Sequence, residues 1–163
     1  MTKINVFKII RDHWRTLVNA NTNKTEFGDW FTFLIFPLMM AMLIEYIFPE
    51  AAKVMSNSII TVLAIFIGLL INVIVLLFDL LSKEPSNKKK KELLSETLTN
   101  IAYTILVSIF AIVTNLLTFV EMGYFKCIFS FITYFLVGNI MLTLLMVIKR
   151  MYAMFKYEMD NTQ

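Results

Sequence analysis

The chain has 163 residues, of which 58% are hydrophobic and only 17% charged, a balance outside that of water-soluble domains. Its polar stretches are too short to bury a core of their own, which excludes a large soluble catalytic domain. One Cys, one His and four Gly also exclude a disulfide scaffold, a Cys- or His-rich metal centre and a Gly-rich nucleotide loop.

In chain order, the first element is an expected amphipathic helix. Phe7, Ile10, Trp14 and Leu17 or Val18 recur at helical spacing, while Lys8, Arg11, Asp12 and Arg15 take other faces. Its favoured role is to anchor in the cytoplasmic interface or pack beneath the bundle; docking a cytosolic partner is the alternative. Residues 19–28 read as a polar linker, with Asp29 as a cap and Trp30 at the interface.

Four apolar runs follow, at residues 30–48, 58–81, 98–120 and 124–148. Each is long enough to cross a hydrocarbon core of roughly 30 Å, and none alternates as a barrel strand does. The expected fold is therefore all-α: a polytopic membrane protein with four transmembrane helices behind an N-terminal amphipathic cytoplasmic helix. It divides into residues 1–29, a four-helix transmembrane domain at 30–148, and a cytoplasmic tail at 149–163. The first run has the length of a span and begins only at Trp30, so no cleavable signal is expected.

The connections and charges give direction. Pro49 and the Ser56-Asn57 pair predict a tight hairpin over residues 49–57, and Gly123 predicts a tighter one after the third run. Pro85 breaks the second helix, and Asn87 is placed to cap a helix running through Lys88, Lys89, Lys90 and Lys91 into the third. Thirteen of the 15 Lys and Arg residues fall before the first run, between the second and third, or after the fourth; only Lys53 and Lys126 fall elsewhere. Both termini are thus expected on the cytoplasmic side of a bacterial inner membrane. The four-lysine run reads as a topology signal and a contact for acidic lipids, not a nucleic-acid site.

Within the runs, charge is scarce. Asp79 is placed to pair with Lys83, and Glu45 to snorkel at the outer end of the first run or to ring an oligomer mouth. Small and polar residues form two stripes at helical spacing. The second run has Ala64, Gly68, Asn72, Val75 and Asp79, expected as a packed seam against the third. The third has Asn100, Thr104, Ser108, Ala111, Asn115 and Thr118, which suits either that seam or a narrow hydrated path between copies. Ser130, Tyr134 and Gly138, and more weakly Asn139 with Thr143, mark packing faces of the fourth run. Pro37 predicts a static bend whose freed carbonyl is met by a neighbour.

Enzyme chemistry finds no constellation here. Cys127 is alone, so thiol exchange is excluded, and it reads as a packing residue; His13 lies outside the runs, so it is no intramembrane haem ligand; no proteolytic group is assembled. Arg11 and His13 are too close for the Arg-x(4–6)-His pattern of HEPN ribonucleases, and Glu45 is too near a helix end for a small multidrug exporter. No metal and no cofactor are expected.

The segment His13-Trp14-Arg15-Thr16-Leu17, followed by Gly28-Asp29-Trp30 and four spans, resembles small bacterial inner-membrane proteins carried in anti-phage and mobile-element loci. That resemblance implies a membrane sensor or membrane-disrupting effector and carries no active-site residue. The expected function is a non-enzymatic, homo-oligomeric membrane protein that alters permeability, with the third stripe nearest the path. The rival is a non-conducting anchor or sensor that binds a cytosolic partner through residues 1–18, the segment from Lys88 to Leu94, or the Met- and aromatic-rich tail. A holin-like phage protein is a third reading.

Overall fold

The structure, a computed structural model, describes residues 6–17, 31–48, 51–83, 88–120 and 125–161, without the side chains of 51–53, 81, 83, 88–90, 157, 158, 160 and 161. Its regular elements are all helical: α1 (Val6–Thr16), a π-helical segment (Phe31–Ile35), α2 (Phe36–Ile47), α3 (Ala51–Lys83), α4 (Lys88–Leu117) and α5 (Phe125–Asn161). Three of them, α3, α4 and α5, are long and apolar enough to cross a membrane. The apolar stretch Phe31–Ile47 is shorter; at about 1.5 Å per residue it reaches only about 25 Å.

The three long helices pack antiparallel in sequence order, with α4 at the centre against both α3 and α5. Heptad spacing explains the register. On α4, Leu94, Thr97, Ile101, Thr104, Ser108, Ala111, Asn115 and Thr118 follow steps of three and four, and all are buried. On α5, Ser130, Thr133, Ile140, Val147 and Met154 are buried in the same phase, with Val137, Leu144 and Met151 half-buried between them. Small side chains repeated at these seam positions let the backbones approach closely, the geometry of an antiparallel coiled coil.

Helix α3 is peripheral. Only one residue per heptad is buried, namely Ser56, Leu63, Leu70 and Leu77. Its outer face, with Val62, Ile65, Leu69, Val75, Leu76 and Phe78, is exposed and suited to lipid. The expected seam of Ala64, Gly68, Asn72, Val75 and Asp79 is therefore corrected: all five are exposed on that outer face. Asn72 and Asp79 each lie two residues past a buried leucine, a rotation of about 200°, so burying Leu70 and Leu77 turns them outward.

Two expected boundaries also move. Helix α3 begins at Ala51, so most of the anticipated hairpin at 49–57 is helix, and Ser56 is buried within 3.5 Å of the Thr118 hydroxyl. Helix α5 continues unbroken past residue 148, and Met154 joins Leu77 and Leu94 in the core, so the start of the expected tail belongs to the bundle. The expected lysine-led extension of the third span is present, since α4 starts at Lys88. The turn at Gly123 lies outside the described residues.

Helix α2 packs on α5 with a period of four on both sides. Ala41 packs against Tyr134, Glu45 meets Ser130, and Gly138 lies against Pro37, where an added Cβ would come 3.2 Å from the proline Cβ. Pro37 stands at the start of α2, where the π segment changes to α-helix. Its missing N–H frees a carbonyl one turn earlier, and the Phe33 carbonyl accepts a 2.9 Å bond from Asn139 Nδ2.

Candidate functional site

A polar cluster joins α1 to the bundle. Along α1, Ile10, His13 and Leu17 recur at steps of three and four and face inward; His13 is 1% exposed and Leu17 7%. Thus His13, not Trp14, holds the centre of the inner stripe. Trp14 is half-buried beside it, while Phe7 is 84% exposed and takes no part in docking.

The imidazole is enclosed by two other elements. Tyr103 of α4 stacks on it at 3.7 Å with an interplanar angle of 4°, and Phe33 of the π segment meets it edge-on at 6.4 Å. Its Nδ1 lies 2.9 Å from Asn100 Oδ1. Burial pushes the His13 pKa down to about 4; the Asn100 bond opposes the shift and the nearby Arg150 charge adds to it. The ring is therefore neutral at neutral pH, with its Nδ1–H donated to Asn100.

Further hydrogen bonds tie this joint together. The Thr16 hydroxyl lies 2.7 Å from both the His13 carbonyl and Asn100 Oδ1, and its single proton serves one of them. Arg150 of α5 donates through Nη2 to the Thr16 carbonyl at 2.6 Å. Its Nη1 is 2.9 Å from Glu96 of α4, close enough for an ion pair but without an aligned hydrogen bond. Tyr103 donates to Asn139 Oδ1 at 3.0 Å, and Asn139 in turn bonds the Phe33 carbonyl. One network thus connects α1, the π segment, α4 and α5.

Beside it lies a cavity of about 480 Å³, lined by Thr16, Leu17, Thr32, Phe33, Leu93, Leu142, Leu145, Met146, Lys149, Arg150 and Ala153. His13 is not among the residues that line it.

The third stripe is buried within one chain: Asn100, Thr104 and Ser108 are 0% exposed, Asn115 2% and Thr118 5%. Thr104, Ser108 and Thr118 donate to carbonyls of their own helix. Around Asn115 and Thr118 the seam is too tight to admit a water molecule. Two side-chain atoms on this stripe, Asn100 Nδ2 and Asn115 Oδ1, have no hydrogen-bond partner among the described residues. Asn72 stands apart on the outer face of α3.

The remaining candidates scatter. Glu45 is half-buried and accepts from Ser130 Oγ at 2.9 Å and from the exposed Cys127 Sγ at 3.2 Å, so it is bound to α5 rather than extended into solvent. Asp79 is exposed, and the Lys83 side chain expected to pair with it lies outside the described residues, as do those of Lys88, Lys89 and Lys90; Lys91 is exposed. Among the described residues, no group of three His, Cys, Asp or Glu is placed to hold a metal ion.

Sequence reasoning passed over His13, Thr16, Glu96 and Arg150 as members of one site. The legible signal was the position of His13 between Ile10 and Leu17 in an inward stripe; nothing in the sequence brings Arg150 to Thr16. No family model, curated protein or solved structure matches the chain.

Proposed function

We propose that this is a non-enzymatic membrane anchor or sensor whose N-terminal helix is a docked, releasable element that engages a cytosolic partner. The observation that carries this reading is the His13 joint. A short helix is held to the membrane bundle by a buried neutral imidazole and a few named hydrogen bonds, and such a contact has two discrete states, docked and free. The short first helix and the three long ones then make four crossings of a bacterial inner membrane, with both termini and most Lys and Arg on the cytoplasmic side. Asn72, facing outward on α3 beside Ala64 and Gly68, supports assembly of copies, because an amide exposed to hydrocarbon gains from a partner across a close helix contact.

The test is partner recovery with full-length protein from its native host. Asn100→Leu, which frees α1, raises recovery; deletion of residues 1–17 abolishes it. Equal recovery from all three proteins refutes the reading.

A permeability function is the second reading, and one observation favours it. The buried polar side chains of α4 run from the Arg150–Glu96 pair to Thr118, and two of their polar atoms have no partner among the described residues, as a column that hydrates on opening requires. Ion and small-dye release from liposomes separates the two. Release abolished by Asn115→Leu supports a path; tight vesicles with intact recruitment support the anchor. The likeness to membrane proteins of defence loci contributes no residue to either reading.

A further inference from the structure

The cavity beside α1 changes character along its length. On α5, Leu142, Leu145 and Met146 line one stretch and Lys149 and Arg150 the next, with Ala153 beyond them, all on one helix face at steps of three or four. Measured from Phe125, Lys149 lies about 36 Å along α5, past a hydrocarbon core of about 30 Å and level with headgroups. The cavity lies beside the start of the short apolar stretch Phe31–Ile47, whose Thr32 and Phe33 line it.

We propose that this cavity binds one anionic phospholipid of the inner leaflet. Its phosphate sits against Lys149 and Arg150, and its first acyl carbons lie along Leu142, Leu145 and Met146. The volume, about 480 Å³, suits a headgroup and glycerol. A free phosphate has no use for the apolar wall, whereas an amphiphile matches both stretches at once; basic pockets between membrane helices on the cytoplasmic side are suited to acidic headgroups. Thr16, at the end of α1, lines the same cavity, so an occupant touches the docked helix. The site stands on its own geometry and does not depend on partner recruitment.

The experiment titrates full-length protein in detergent with dioleoylphosphatidylglycerol, dioleoylphosphatidylcholine or inorganic phosphate while thermal unfolding is followed. Phosphatidylglycerol stabilises the protein at least about fivefold more potently than phosphatidylcholine, the difference one lysine at a membrane surface supplies. Lys149→Gln removes about that factor, and Met146→Trp, which fills the apolar wall, also weakens binding. Lys156→Gln, an equal charge loss on α5 outside the cavity, leaves it unchanged. Equal potency of the two lipids overturns the proposal. Equal loss in Lys156→Gln overturns it in favour of diffuse charge attraction, and equal protection by inorganic phosphate overturns it in favour of a simple anion site.

Discussion

Acidification should loosen α1, and the size of the effect follows from one side chain. Docked, His13 titrates at about 4; released into water it returns to its ordinary value of 6.5. Between these values the released state binds a proton that the docked state does not, so docking strengthens as pH rises through this window and is lost as pH falls. At pH 7.5 the penalty is negligible. At pH 5.5 it is about 1.3 kcal/mol, a tenfold shift toward release, and below pH 4 it approaches a ceiling of about 3 kcal/mol. The charge that acts on the ring is that of Arg150 from α5, which disfavours the imidazolium and is itself paired with Glu96 from α4. Hydrogen exchange of the α1 amides, expressed as protection relative to the unstructured rate at each pH, reads the equilibrium. Protection should fall about tenfold between pH 7.5 and 5.5 in the parent and stay level in His13→Gln, which keeps a donor near Asn100 but does not titrate. The reasoning fails if the parent shows no change, or if His13→Gln loses protection to the same extent.

Other substitutions probe the same architecture. Asn100→Leu leaves the His13 Nδ1–H without its buried acceptor, while Thr16 keeps the His13 carbonyl, and should weaken α1 docking by about 1–3 kcal/mol, read as lost α1 protection with α4 and α5 unchanged. Gly138→Val meets Pro37 across a contact that already allows an added Cβ only 3.2 Å, and should destabilise the α2–α5 pair by about 1–3 kcal/mol in thermal unfolding. Gly68→Ala has nothing within 4 Å of the new Cβ and should leave the single chain unchanged or raise its stability by up to about 1 kcal/mol. Gly68→Leu separates fold from assembly: copies joined through the outer face of α3 should dissociate in cross-linking while single-chain stability holds.

Much of the helical architecture was legible in the residues. Apolar runs without alternation indicate helices, and Pro85 followed by four lysines marks where α4 starts. Periodicity also picked out Asn100, Thr104, Ser108, Asn115 and Thr118 as one face. It did not say what that face meets, because small polar residues at steps of three and four suit a packed seam and a wet path equally. The second stripe shows the same ambiguity resolved the other way: Asn72 and Gly68 share a face, yet the buried leucines of α3 lie on the opposite side.

What the sequence determined alone is helical class and the presence of helices long and apolar enough to cross a membrane, since these follow from composition and local period. Tertiary structure decided the rest. Which stripe is inside depends on the heptad register among α3, α4 and α5, and the joint at α1 depends on bringing His13 to Asn100 across 87 residues and Arg150 to Thr16 across 134. No local period encodes those meetings. A lone histidine in a short helix becomes a buried, neutral latch only when the stacked Tyr103 ring and the Asn100 amide close around it, because it is the exclusion of water there that holds off the proton.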